Sequence, residues 1–352
     1  MNGAAERLLS RIRAEGPIPL ADFMAEAVAA YYRRPHVFGA DGDFVTSPEI
    51  SQIFGELVGI WFAVRWHAEG RPQRFLLAEC GPGRGTLIAD ALRAAAMVPG
   101  FAAAIELHLV ETSPALREAQ AVALAGFPAV WHDAVETLPD GPLHLVANEF
   151  LDALPALQFI FRGGVWRERC VGHDGTDFVF IEEVPAVPPA DLLADLPSPC
   201  EGDVLGHSPS AEGFVAAIGK RIARSGGAAL FFDYGPEKSG FGDTLQAVSR
   251  HRYASPLSRP GEVDLTVHVD FSRLARFAQG AGAAAFGPAD QGLWLVALGL
   301  PARLTALLRQ ATPRQTETLV SGAQRLIAPQ AMGRLFKAFS LLPAGSPAPE
   351  GF

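Results

Sequence analysis

Two hydrophobic periodicities alternate along this chain, and their order sets the expected fold. Strand-length runs, RFLLAEC (74–80), IELHLVE (105–111), AVWH (129–132) and LHLVANE (143–149), are separated by segments with three- and four-residue apolar spacing at 81–95 and 113–124. Runs that are apolar on both faces fit strands buried in a sheet, and the helices between them cover those faces. The alternation predicts a doubly wound α/β core with a mostly parallel sheet. It resumes later with a helix at 210–224 and the strand AALFFDYG (228–235). AAAFGPA (283–289) and GLWLVALGL (292–300) lie nearly adjacent and are expected to form an antiparallel edge pair. Helices are expected to finish the chain.

Other segments break this rhythm. Two helices are predicted at 4–15 and 20–33, parted by Gly16-Pro17. The turn-rich stretch Gly39–Ile50 follows, and its Thr46-Ser47-Pro48-Glu49 reads as a helix start: hydroxyl cap, early proline, early acid. That helix is expected to run from Pro48 through Arg65. Between Leu157 and Val184 the pattern turns hairpin-like around Gly163-Gly164 and Asp174-Gly175, which predicts an antiparallel flap. Residues 187–209 read as a loop. The segment 236–270 is long, polar and nearly aperiodic, as functional loops often are. The expected organisation is an N-terminal helical region (1–70) contributing to a site, a core (71–300) with insertions at about 157–209 and 236–270, and a C-terminal helical segment (301–352).

Composition narrows the function classes. The chain has 352 residues, 49% of them hydrophobic, which supplies ample material for a core. A net charge of −9 disfavours nucleic acid as partner. No apolar run approaches the roughly 18 residues of a membrane span. Three scattered cysteines, Cys80, Cys170 and Cys200, support neither a metal site nor a disulfide framework, and the expected compartment is a reducing cytoplasm. No histidine or acid spacing supports a metal; His251 and His268 read as ordinary polar loop residues.

The densest chemical signal is Glu79-Cys80-Gly81-Pro82-Gly83-Arg84-Gly85-Thr86, a strand end opening into a helix. Glycines there let backbone approach a ligand, and the helix start offers free N–H groups. A dinucleotide site wants G-x-G-x-x-G with an acid about 20 residues on. Here Thr86 stands where the third glycine belongs, and the next strand-end acid, Glu111, lies thirty positions after Gly81. Glu79, two residues before the first glycine, suits a cationic amino group. Together these favour S-adenosylmethionine over NAD. Glu111 has two oxygens for the two ribose hydroxyls; as a helix-cap acid it would be redundant with Ser113. Asp133 reads equally as an acceptor for the adenine amino group or as a surface turn acid.

The fourth strand ends in Asn148-Glu149-Phe150-Leu151-Asp152. Ligands lie over the carboxyl ends of strands in such sheets, so this turn faces the transferred methyl group. Glu149 and Asp152, beside Asn148, suit a cationic acceptor, best a planar guanidinium. Asp152 also suits a plain helix cap.

GDFVTSPEISQIFGE (42–56), LAECGPGRGTLIADALR (77–93), LVETSPALREAQ (109–120), ANEFLDALPALQF (147–159), FFDYG (231–235), TLQAVSRH (244–251), PGEVDLTVHVDF (260–271) and MGRLFKAF (332–339) resemble the MidA-like family, methyltransferases that assist complex I assembly in mitochondria, with bacterial relatives. The resemblance spans about Gly42 to Leu341. It implies a Rossmann-like S-adenosylmethionine-dependent methyltransferase acting on an arginine of a protein such as a complex I core subunit. Gly81, Gly83, Gly85 and Glu111 then hold the cofactor, with Thr46, Ser47, Pro48 and Glu49 lining it from the N-terminal side. Leu151 replaces the family's second aromatic, and Val248 stands where a tyrosine is commoner, so a phenol is missing from the substrate loop. A small-molecule methyltransferase, and a non-catalytic assembly factor keeping the fold, stand as alternatives. The intact acids and glycines argue against the second, and the flap and long loop argue for a macromolecular acceptor.

Overall fold

The computed structural model describes residues 3–34, 46–249 and 252–352. Residues 39–45 of the expected turn-rich stretch, and His251, lie outside the described residues. The chain divides into two compact units, each made of discontinuous segments.

The larger unit comprises Val45–Phe150, Val215–Gly235 and Leu274–Phe352. Its sheet has seven strands: β1 (Phe75–Cys80), β2 (Ile105–Val110), β3 (Ala129–His132), β4 (Leu143–Asn148), β5 (Gly227–Tyr234), β6 (Ala283–Asp290) and β7 (Phe336–Pro343). Their spatial order is β6-β7-β5-β4-β1-β2-β3. Strands β1 to β5 pair in parallel. The doubly wound core is therefore as expected, and the strand order reverses between β1 and β4, where such sheets bind ligands.

The antiparallel element differs from expectation. β7 runs antiparallel to β5 on one side and to β6 on the other, so the reversed strand is inside the sheet. GLWLVALGL instead forms the helix Gln291–Ala297 and the start of Leu300–Leu308. MGRLFKAF, expected to be helical, enters β7 after one short turn. Both runs are short and GLWLVALGL is apolar throughout, while MGRLFKAF carries Arg334 and Lys337 among its apolar residues, and periodicity cannot separate a buried strand from a buried helix at that length. The expected helix from Pro48 is also broken: Ser51 is extended (φ −157°, ψ 130°) and its hydroxyl accepts the Ile53 N–H, starting a new helix, Gln52–Ala68. That helix packs tightly on Thr86–Ala95: a Cβ on Gly59 would fall 2.3 Å from the Ala91 carbonyl oxygen. The packing anchors the helix that follows the glycine turn. No single described helix is long and apolar enough to cross a membrane.

The smaller unit comprises Met1–Phe44, Leu151–Phe214 and Pro236–Arg273. The N-terminal helices Gly3–Glu15 and Leu20–Tyr31 thus share a unit with both insertions, and the division falls at Phe44 instead of near residue 70. The expected flap is an antiparallel sheet of Leu157–Arg162, Val165–His173 and Phe178–Pro185. It is extended by Val204–His207, from the segment expected to be loop, and by Ile18–Pro19. The aperiodic 236–270 holds three short strands, Gln246–Ser249, Arg252–Tyr253 and Asp264–Thr266. Leu8, Phe23, Met24, Val171 and Leu265 share this unit's core.

Candidate functional site

β1 delivers its last residues straight into the glycine turn. Gly81, Gly83 and Gly85 hold φ of +63°, +53° and +82°, a left-handed path that side chains with a Cβ resist. A Cβ on Gly81 would come 3.0 Å from the Phe150 ring. Glu79, 2% exposed, has one carboxyl oxygen, Oε2, with no partner among the described residues. Burial pushes it up to about 8, opposed only by a hydrogen bond from the Ile88 N–H at the start of the next helix. A buried acid with an unfilled oxygen beside a glycine cradle fits the ammonium end of an amino-acid-bearing cofactor.

Glu111 follows β2, its N–H bonded to the His132 carbonyl at 3.0 Å. Its Oε1 accepts the Ser113 N–H (2.8 Å) and its Oε2 accepts Gln120 Nε2 (3.3 Å). Burial raises its pKa and these bonds lower it. Ser113 occupies the expected N-cap position but its hydroxyl makes no cap bond. Glu111 therefore ties down the helix entrance itself, and its cap and ribose roles are not exclusive. Arg117 donates through Nε to the Glu111 carbonyl (2.8 Å) and pairs with Asp133 (2.6 Å), whose side chain is 84% exposed.

At the end of β4, Glu149 has φ +50°, rare for a residue with a side chain, and its N–H bonds the Phe232 carbonyl of β5 at 2.8 Å. Such a conformation costs of order 1–3 kcal/mol and concentrates at functional sites. Glu149 Oε1 accepts both the Ser47 N–H (3.2 Å) and Asn148 Nδ2 (3.1 Å). Burial pushes the carboxyl up to about 7 against those two bonds and the more distant Arg325. Ser47 Oγ reaches Gln291 (3.3 Å). Thr46 stands at the cap position without a side-chain cap bond, contrary to the expected hydroxyl cap, and Pro48 is buried in the first turn. Glu49 accepts Thr86 Oγ1 at 2.5 Å and faces Arg84 at 3.8 Å. The Thr46–Glu49 segment thus meets both the glycine turn and Glu149.

Asp152 belongs to the smaller unit. It is buried there, its carbonyl accepting the Val267 N–H (3.0 Å). In the same unit the Tyr32 hydroxyl donates to Asp264 (3.3 Å). Burial, then the charges of Asp264 and Asp152, hold the Tyr32 phenol well above its ordinary pKa. No role for Tyr32, Asp264 or Gln120 follows from the sequence motifs. Tyr32 ends an apolar helix, and only the fold brings it to an acid 232 residues away. Gln120 did carry a signal, a polar amide on the inward side of an amphipathic helix. Among the described residues no group of three metal-ligating side chains occurs, and His268 bonds to Gln246 (3.2 Å).

A doubly wound sheet with a lone antiparallel strand, a glycine turn and a strand-end acid at its switch point defines a methyltransferase of the S-adenosylmethionine-dependent class. Comparison with known proteins agrees. The model of the Methyltransf_28 family, described as S-adenosyl-L-methionine-dependent methyltransferase, matches residues 57–289. The chain is 37% identical over 374 residues to the Drosophila melanogaster homolog of protein arginine methyltransferase NDUFAF7, mitochondrial, covering 96% of this chain and 84% of that one. It is 36% identical over 367 residues to the Homo sapiens protein of that name, covering 96% and 82%. A solved structure from Burkholderia thailandensis with S-adenosyl-homocysteine bound superposes with a TM-score of 0.85 at 28% identity, covering 99% of this chain and 94% of that one. The chain belongs to this methyltransferase family, and S-adenosylmethionine is its cofactor. The mitochondrial names of these relatives are at odds with the expected cytoplasmic compartment.

Proposed function

We propose that this enzyme methylates an arginine side chain of a protein acceptor, and that a subunit of respiratory complex I is the acceptor to test first. The observation that carries the reading is identity of 36–37%, along 96% of the chain, to proteins named protein arginine methyltransferases. The geometry supports it through Glu149, a half-buried carboxyl at the switch point. Its Oε1 already takes two donors, which leaves Oε2 for an acceptor.

Bound S-adenosylmethionine supplies a methyl group already activated by its sulfonium, so positioning accounts for much of the rate. Gly81, Gly83 and Gly85 would admit its amino-acid end, Glu79 would hold the ammonium, and Glu111 the ribose hydroxyls. Asp133, on the rim, would be the acceptor for the adenine amino group. Ser47 and Asn148 hold the Glu149 carboxylate, and Glu149 Oε2 orients the acceptor nitrogen and receives the proton it sheds on methylation. An arginine arrives cationic, with a pKa above about 12, and its desolvation calls for negative partners. Thr46, Pro48 and Glu49 close the N-terminal side of the cofactor.

The experiment is methylation, with a labelled methyl donor, of purified complex I subunits and in parallel of a whole-cell extract, read by mass spectrometry of peptides and of the small-molecule fraction. Label on arginine in a complex I subunit supports the full proposal. Label on other proteins' arginines removes complex I and keeps the chemistry. Label only on small molecules removes the protein acceptor.

A further inference from the structure

Gln120 is a fully buried amide in the larger unit, bonded to three separate segments. It lies on the helix Pro114–Ala123, whose one buried residue it is, at 0% exposure. A leucine would fill such a position at no polar cost, whereas a buried amide is costly unless its hydrogen bonds are made. All are made here. Nε2 donates to the Gly83 carbonyl (2.8 Å) and to Glu111 Oε2 (3.3 Å), while Oε1 accepts the Trp131 indole N–H (2.8 Å). Gly85 is packed on the same residue: a Cβ there would lie 3.4 Å from Gln120 Cα and Cγ. The amide cannot be turned over. An indole nitrogen only donates, and a carbonyl and a carboxylate only accept, so the partners themselves fix which end is oxygen.

We propose that Gln120 is a positioning residue for the cofactor, locking the Glu111 carboxylate and the Gly83 carbonyl to one another and to β3. This rests on the assignment of Glu111 to the ribose. Oε1 receives the Ser113 N–H and Oε2 the Gln120 Nε2, with a further backbone donor from Thr112, and together these set the carboxylate plane presented to a hydroxyl. The same amide seats the central carbonyl of the glycine turn. One side chain thus keeps the two halves of the cofactor site in register, in the way pre-organised sites depend on the groups behind the contacting ones.

The amide also acts on ionisation. Burial raises the Glu111 pKa, and the donors from Ser113 and Gln120 oppose it. The other groups around it are Arg117, bonded to its carbonyl, Asp133 paired with that arginine, and His132, whose carbonyl accepts the Glu111 N–H. Gln120→Met keeps length and flexibility but removes both donors. Glu111 then protonates more readily, so the acid limb of cofactor affinity moves to higher pH.

The test measures S-adenosylhomocysteine affinity by calorimetry between pH 5 and 8 on wild type, Gln120→Met, Glu111→Gln and the double variant, with melting temperatures alongside. Gln120→Met is expected to weaken binding by about ten- to a hundredfold, the range for a hydrogen bond to a charged group. Its acid limb should shift upward, and the double variant should lose less than the sum of the two singles. Trp131→Phe, which removes the donor to Oε1 and trims the ring at a half-buried position, should weaken binding about two- to tenfold even if Gln120→Met fails to fold. Unchanged affinity and pH profile in a folded Gln120→Met, or strict additivity with Glu111→Gln, overturns the proposal. Normal affinity in Glu111→Gln alone overturns the ribose assignment beneath it, a different failure.

Discussion

The ends of β2 and β4 lie in one sheet, on either side of β1, yet they treat their carboxylates in opposite ways. Around Glu111 the protein spends its own donors freely: Ser113 and Gln120 hold the carboxylate and Arg117 holds the carbonyl. At Glu149 two donors crowd onto one oxygen, the backbone is forced to φ +50°, and the acid is pushed up to about 7. The first arrangement is finished before ligand arrives, as suits a cofactor of constant shape. The second is tense and near neutrality in its ionisation, as suits a group that must meet a charged acceptor and then handle a proton. The difference separates binding from chemistry, and the predictions press on it.

The largest effect belongs to the glycine turn. Gly83→Val puts a β-branched residue at φ +53° and a side chain where the cofactor must approach. Cofactor affinity is expected to fall by more than about a hundredfold, since strain and lost contact each cost of order 1–3 kcal/mol. Calorimetry on folded protein reads it. Retained affinity would move the cofactor away from this turn and dissolve the contrast.

Next comes Glu149→Gln, which keeps shape and removes charge. Cofactor affinity should stay within about threefold while methyl transfer drops about ten- to a hundredfold. In the wild type, activity should rise with pH as Glu149 ionises near 7, and that limb should vanish in the variant. Loss of cofactor affinity in step with turnover would place Glu149 on the binding side.

Glu79 gives a subtler, thermodynamic test. Its folded pKa of about 8 stands above the ordinary carboxylate value. Between roughly pH 4.5 and 8 the unfolded chain has lost this proton while the folded cofactor-free protein keeps it, so stability falls as pH rises, at up to about 1.4 kcal/mol per unit. Glu79→Gln removes the titration. Its melting temperature, relative to wild type, should therefore gain between pH 5 and 8, by a few degrees. A constant difference across that window would mean Glu79 is already paired.

These contrasts were unevenly legible in the sequence. The parallel strands, the glycine turn and Glu111 declare themselves locally, because tight turns and buried strands restrict residue type at each position. β7 does not: it is covered on both faces, so Phe336, Phe339 and Leu342 satisfy a helical spacing as well as a buried strand. The break at Ser51 was hidden because serine suits a helix start equally well at Thr46-Ser47 or five residues on. Glu149 was legible as a residue but not in its conformation, which the Ser47 and Phe232 contacts impose from distant sequence. Tyr32 and Asp264 meet only through the fold.

The smallest effect falls on Asp133, at the cofactor side's outer rim. Its partner Arg117 is bonded inward to the Glu111 carbonyl, so the pair is tethered at one end and solvated at the other. An exposed ion pair contributes at most about 1 kcal/mol, and a neutral hydrogen bond to adenine adds a similar amount. Asp133→Asn keeps an oxygen for the adenine amino group and loses only the charge. Cofactor affinity should therefore fall about threefold or less at low salt, and less still at high salt, where the exposed charge is screened. Isothermal titration at two ionic strengths reads both. A loss beyond about tenfold that ignores salt would mean that Asp133 turns inward when the cofactor binds, leaving Arg117 for the ribose side. The finished character of the site around Glu111 would then be a property of the cofactor-bound state alone.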